Sequence, residues 1–189
     1  MLDPAAVKAA LARHACRTID PGVLRPAAVL LTFYPKDNSD TLLFTRRTEH
    51  LPDHAGEISF PGGRWQEGDA DLTATALRET EEEMGVAPQD VTILGRLDDF
   101  VSVYGYHVTP FVGTLPTAYP FCVDHREIAE VIEVPLKKLC DPKIFHTENW
   151  RHKGRLYPVG FFSIGRHPIW GLTAAVLRQF LQRIEVIDW

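Results

Sequence analysis

The stretch DLTATALRETEEEMG, Asp71 to Gly85, sets four glutamates among five consecutive residues of a chain whose formal charge is only -5. From Asp71 to Met84 it contains neither Gly nor Pro, and Thr73, Leu77, Thr80 and Met84 recur at spacings of three and four, which predicts a helix. A helix advances about 100° per residue, so Glu79 and Glu83 lie within about 40° of each other and Glu82 completes an arc of about 100°. Glu81 points far round from that arc, and the predicted apolar side is centred away from all three carboxylates. Like charges at i,i+3 and i,i+4 repel by about 0.2–0.5 kcal/mol per pair, so a partner should offset them. Grouped carboxylate oxygens are what a hard cation such as Mg²⁺ or Mn²⁺ takes, usually together with waters and substrate phosphates. A solvated charged face is the plainer alternative for the glutamates taken alone.

The neighbouring residues favour the site. SFPGGRW, Ser59 to Trp65, precedes the helix and supplies Gly62 and Gly63, which permit backbone conformations and close approaches denied to other residues. Arg78 lies between the apolar side and the acidic arc. Its donor fork suits orienting a carboxylate or a loop carbonyl, and its unchanging charge rules it out as a proton donor.

Working outward, Asp3 and Pro4 begin a first helix carrying Val7, Leu11 and Ala15 on one face. AAVLLTF from Ala27 reads as a core strand, KDNSD as a hairpin turn and TLLFTRR as the returning strand. EISF, VTILGRL, VTPFVGTL and EVIEVPL are further strands, with Pro110 expected at a strand start or an edge. A last helix runs from Gly171 to about Ile184 with Leu172, Val176, Phe180 and Ile184 on one side. Many strands, few helices and no regular β-α alternation give an α+β fold with a mixed sheet. Residues 1–26 form an N-terminal helical extension, and 27–189 one domain that includes the C-terminal helix.

At 189 residues and 45% hydrophobic, the chain is sized for one domain with its own core. No basic run is present to neutralise a nucleic-acid backbone, so no nucleic-acid partner is expected. Cys16, Cys122 and Cys140 are odd in number and widely spaced, which fits thiols in a reducing cytoplasm. The alanine-rich start lacks the apolar run of a signal peptide or membrane span, so no membrane partner is expected either. His50, His54, His107 and His125 show no zinc-ligand spacing.

Arg78, Glu79, Glu82, Glu83, Gly85 and Val86 resemble the distal half of the Nudix hydrolase signature. The proximal half departs from it: Gly63 stands one residue too far upstream, Ala70 occupies the expected glutamate position and Thr80 replaces an aliphatic residue, with Asp69 or Asp71 at hand as substitutes. LLFTRRTEHLPDHAGEISFPGG, Leu42 to Gly63, resembles the segment before that signature in coenzyme A pyrophosphatases, except that Pro52 stands where an arginine is usual. The resemblance implies a Nudix fold, a mixed sheet between helices in an α/β/α sandwich. It also implies Mg²⁺- or Mn²⁺-dependent hydrolysis of the pyrophosphate of coenzyme A or its derivatives, giving 3',5'-ADP and 4'-phosphopantetheine. In that reading Glu79, Glu82 and Glu83 take metal and Arg78 orients them. Arg46, Arg47, Gly62 and Gly63 meet a small-molecule nucleotide conjugate, and Glu127 or Glu130, or a carboxylate of the cluster, serves as general base. Self-association as a homodimer is a further expectation. A pyrophosphatase of ADP-ribose or another nucleoside diphosphate conjugate is the alternative, followed by a noncatalytic nucleotide-binding Nudix domain.

Overall fold

In the computed structural model, which describes residues 1–50, 54–117, 119–152 and 154–189, the acidic helix packs on a mixed sheet. The chain begins with α1 (Pro4–Ala12), started by Asp3, whose side chain accepts from Ala5 N. Ala15 lies beyond the end of this helix and is exposed. Strands β1 (Arg25–Lys36) and β2 (Ser39–Arg47) form the predicted hairpin. Asp37 and Asn38 turn it with φ of 49° and 59°, the left-handed pair that matches strand twist in a two-residue turn. Two short strands follow, β3 (Ile58–Ser59) and β4 (Gly62–Arg64), and then α2 (Leu72–Met84). After it come β5 (Thr92–Arg96), β6 (Phe100–Val101), β7 (Tyr106–Thr114), β8 (Ile128–Pro135) and the single-turn α3 (Leu136–Leu139). A second sheet of β9 (Phe145–His152), β10 (Arg155–Phe162) and β11 (Ile169–Trp170) leads into α4 (Gly171–Arg183).

The main sheet is ordered β3-β2-β1-β7-β5, with β8 on β2, β4 on the first half of β1 and β6 on β7. Among the described strands, only β1 and β7 run parallel. Alternate β1 residues serve two layers. Ala28 and Leu30 meet Ala76 of α2, while Leu31 and Phe33 meet Val7 and Leu11 of α1 and Phe180 of α4. Helices on both faces of the mixed sheet make the α/β/α layering, and burying each such large apolar side chain contributes about 1.5–3 kcal/mol.

Two local expectations change. Pro110 sits inside β7, between β1 and β5. Its carbonyl accepts from Leu97 N, so the side on which its N–H is missing faces the segment where the chain leaves β5 and has not yet entered β6. On α2 the buried residues are Thr75, Ala76, Thr80, Glu83 and Met84, whereas Thr73 and Leu77 are only half-buried. Small Thr75 and Ala76 let the helix come close to β1, and that rotation carries Glu83 inward. The carboxylate arc is therefore not wholly on the solvent side.

Candidate active site

Asp71 starts α2 by accepting from Ala74 N, and Gly85 ends it in the left-handed region at φ 68°, donating to Glu81 O. The last turn is then held from outside, because Cys122 N donates to Met84 O and Asp124 N to Glu83 O. Thr48 N donates to Glu127 O, so the segment from Cys122 to Glu127 is fastened between α2 and the end of β2. These backbone bonds, with the pairing of β4 on β1, place four chain segments around one group of acids: α2, the glycines of β4, the end of β2 and the segment before β8.

Within this enclosure Glu83 is 5% exposed. Its carboxylate accepts from Gly62 N at 3.4 Å and lies 3.7 Å from Arg47, both long contacts. Burial pushes its carboxyl up to about 8, with Arg47 opposing and Glu79 and Glu127 reinforcing the rise. Burial also raises Glu79, against the pull of Arg78. Glu79 packs directly on Gly63, where an added Cβ would stand 2.5 Å from its carboxyl carbon. Gly62, at φ 147°, is pressed against the backbone of β1, with Val29 Cα 2.6 Å from the position of a Cβ. Each glycine thus has its own steric reason, one backbone and one carboxylate.

Arg78 is the organiser. Nε donates to Asp69 Oδ1 at 2.9 Å, and NH2 donates to Asp69 Oδ2 at 3.1 Å and to Arg64 O at 3.0 Å. NH1 donates at 3.0 Å both to Glu79 Oε1 and to Glu82 Oε2. The guanidinium holds Asp69 down to about 2. Of the two loop acids beside Ala70, Asp69 is the one that Arg78 engages, whereas Asp71 is committed to the helix cap. The loop acid had a signal in the sequence, but its partner was legible only from the fold.

The expected site residues separate by position. Glu79 and Glu82 share Arg78 NH1, Glu83 stands behind them, and the side chain of Glu82 is the most exposed of the three at 58%. Glu81 is exposed and apart. Arg46 donates to Glu130 Oε1 at 2.6 Å and to Glu49 Oε1 at 3.1 Å, so Arg46 and Glu130 engage each other. Arg47 instead lies between Glu83 and Glu127, at 3.7 and 3.8 Å. Pro52 lies outside the described residues.

Among the described residues, no three His, Cys, Asp or Glu side chains converge tightly enough to form a ready metal cage. The donor set nevertheless fits a hard cation in chemistry, since a buried carboxylate whose charge is met only at 3.7 Å invites a further positive charge. The Gly63 cradle gives a direct check. Gly63→Ala should push the Glu79 carboxylate aside and lower kcat by about tenfold or more, while the melting temperature falls by only a few degrees because the clash is with a movable side chain. Parental kcat in that variant would show that the position of Glu79 is unimportant.

Comparison with known proteins agrees with this layout. Residues 23–156 match the NUDIX domain. The chain is 41% identical over 162 residues to an uncharacterized Nudix hydrolase, NudL, of Photorhabdus laumondii, covering 86% of each protein. It is 38% identical to NudL of Yersinia pestis, covering 86% of this chain and 81% of the relative. The crystal structure of a MutT protein from Methanosarcina mazei superposes with a TM-score of 0.53 at 18% identity, covering 91% of this chain and 96% of that one, which bears on the fold alone. With the domain match spanning well over half of the chain and relatives this similar along most of their length, the protein belongs to the Nudix family and is a pyrophosphohydrolase of the Nudix type.

Proposed function

We propose that this protein hydrolyses the pyrophosphate bond of coenzyme A or its derivatives, releasing 3',5'-ADP and 4'-phosphopantetheine or its acyl form. The observation that supports the reading is the position of Arg47, Gly62 and Gly63, which belong to the stretch Leu42 to Gly63 that resembles coenzyme A pyrophosphatases. These three residues line one side of the carboxylate group. Glu79, Glu82 and Glu83 would hold Mg²⁺ or Mn²⁺, the buried Glu83 and half-buried Glu79 from inside and Glu82 from the rim. When bound, the cation supplies neutralisation of charge on the pyrophosphate oxygens and lowers the pKa of water.

The residues of the chain supply the rest. Arg78 fixes Glu79 and Glu82 in one orientation, and Gly62 and Gly63 let the loop backbone close on β1 and on the Glu79 carboxylate, so that it stands beside the acids where the phosphates would bind. Of the two later-segment candidates for the base, Glu127 is the one whose charge is felt by Glu79 and Glu83, which favours it over Glu130 as acceptor of the proton of the attacking water. Glu130 is engaged by Arg46 instead. Because phosphoryl-type transfer adds charge to oxygens that already carry it, positioning and neutralisation account for most of the rate.

The test is a panel of coenzyme A, ADP-ribose, NADH, diadenosine polyphosphates and nucleoside triphosphates, each with Mg²⁺ or Mn²⁺, with products identified by mass and preference ranked by kcat/KM. Coenzyme A is expected to lead by about tenfold or more, since a site built for its phosphates leaves polar groups unpaired with the others. A clear lead for ADP-ribose, with no 4'-phosphopantetheine released, removes the substrate and leaves the enzyme class standing.

A further inference from the structure

Two adjacent arginines on β2 have opposite surroundings. Arg46 is hydrogen-bonded at Nε and NH1 to Glu130 and Glu49. Among the described residues Arg47 makes ion pairs alone, with NH1 3.7 Å from Glu83 Oε1 and NH2 3.8 Å from Glu127 Oε2. Its Nε is buried and has no hydrogen-bond partner among the described residues. The pairing of β2 with β8 slips at this point: Arg46 faces Glu130 but Arg47 faces Ile128. That bulge draws Glu127 over the end of β2, where its carbonyl takes Thr48 N–H. A guanidinium carries five donors, and holding it against two acids without one well-formed hydrogen bond is unfavourable in an arrangement meant to be final. It suits a group that changes partners.

We infer that Arg47 is a positioning residue, an internal counter-charge shared by Glu83 and Glu127 that yields Glu83 to the incoming divalent cation and keeps Glu127. This inference rests on the reading of Glu83 as a metal ligand. Its consequence is opposite in sign for two measurements. Arg47 opposes the cation, because a positive charge one ion-pair distance from the receiving carboxylate repels a divalent ion by on the order of tenfold in affinity even when well screened. Arg47 also favours turnover, because it steadies the proton acceptor. A residue that only met substrate phosphate would change KM and leave the affinity for free metal alone.

The experiment measures Mn²⁺ binding by electron paramagnetic resonance at pH 9, where protons compete least for the Glu83 carboxylate, without substrate and together with kcat and KM, for the parent, Arg47→Met, Arg47→Lys and Glu83→Gln. The parent binds Mn²⁺ and Glu83→Gln binds it at least about tenfold more weakly. Arg47→Met binds Mn²⁺ about tenfold more tightly than the parent, yet its kcat falls by tenfold or more while KM stays within about threefold. Arg47→Lys keeps the charge, holds Mn²⁺ affinity near the parent and recovers part of kcat. If Arg47→Met does not fold, Arg47→Gln removes the charge with a polar side chain and carries the same expectations. Unchanged Mn²⁺ affinity with raised KM in the neutral variants overturns the inference and leaves Glu83 as a ligand. Undiminished Mn²⁺ affinity in Glu83→Gln overturns the ligand assignment and this inference with it.

Discussion

Glu83→Gln is expected to lose about a hundred- to a thousandfold of metal-dependent turnover and, with divalent ions chelated, to melt at a higher temperature than the parent at pH 8. Both effects come from one fact, that the carboxylate is 5% exposed and its charge is answered only by long contacts. The amide keeps the shape while weakening a hard-cation site. The stability sign follows from linkage. Folding raises the carboxyl from 4.5 to about 8, so below pH 4.5 the protonated group leaves folding undisturbed. Between pH 4.5 and 8 the folded chain binds more protons than the unfolded one, and stability is lost as pH rises through that window. Glutamine does not ionise and escapes the loss. Each pKa unit is about 1.4 kcal/mol, but the variant also deprives Arg47 of a partner, so a net gain on the order of 1–3 kcal/mol is expected at pH 8 and almost none at pH 4.5. Melting curves in chelator from pH 4.5 to 9, beside kcat/KM in saturating Mg²⁺, read both. Glu81→Gln, on the exposed side, should stay within about twofold of the parent in turnover, because surface changes away from a site are mild. Equal damage from Glu81→Gln, or a lower melting temperature for Glu83→Gln at pH 8, would show that the helix face has been misjudged.

The same helix shows what sequence periodicity reaches. Its existence, its start at Asp71 and its end at Gly85 follow from cap chemistry, which is local. The side it buries depends on how close β1 allows it to come, and that is set by Ala28 and Ala76 meeting across the layer, information held at distant positions. The hairpin of Asp37 and Asn38 was legible for the local reason, and the slip of β8 against β2 was not, since it depends on two strands about 80 residues apart in the sequence. Strands β9 and β10 are not legible in the sequence because every residue of HTENWRH is exposed, leaving no apolar alternation to find, and Pro158 counts against a strand. Gly154 between two aromatic-bearing runs was the available signal. At the site, the acids and glycines were readable as residue types in a pattern. The division of labour between Arg46 and Arg47, and between Glu127 and Glu130, was not, because each depends on which strand face and which register the fold selects.

Removing the arginine of the acidic helix tests the organisation of the site more severely than removing any one acid. Arg78→Ala is expected to lower kcat/KM by about a hundred- to a thousandfold and to destabilise the fold by about 2–3 kcal/mol, or roughly 5–10 °C in melting temperature for a chain of this size. The stability loss centres on Asp69, whose side chain is 5% exposed and, among the described residues, would keep Thr75 Oγ1 and Gln66 N as donors. Since Arg78 holds Asp69 down to about 2, against an ordinary 3.8, their pairing stabilises fully above about pH 4 and is lost as pH falls toward 2, so the deficit should shrink in acid. Turnover falls for a different reason. Glu79 and Glu82 lose the nitrogen they share and the Arg64 carbonyl loses its donor, so the carboxylates and the glycine strand are no longer registered with each other. Arg78→Lys separates the two effects. An ammonium can pair with Asp69 and recover much of the stability, but a point charge cannot span Asp69, Arg64 O and both glutamates as the planar fork does, so kcat/KM should stay at least about tenfold below the parent. In Arg78→Ala combined with Asp69→Asn the buried charge is gone, and melting temperature should rise above that of Arg78→Ala while activity does not. Full activity in Arg78→Lys would mean that charge alone suffices and that the fork geometry does not set the carboxylates. Loss of activity in strict proportion to loss of folded protein would mean that Arg78 only supports the fold.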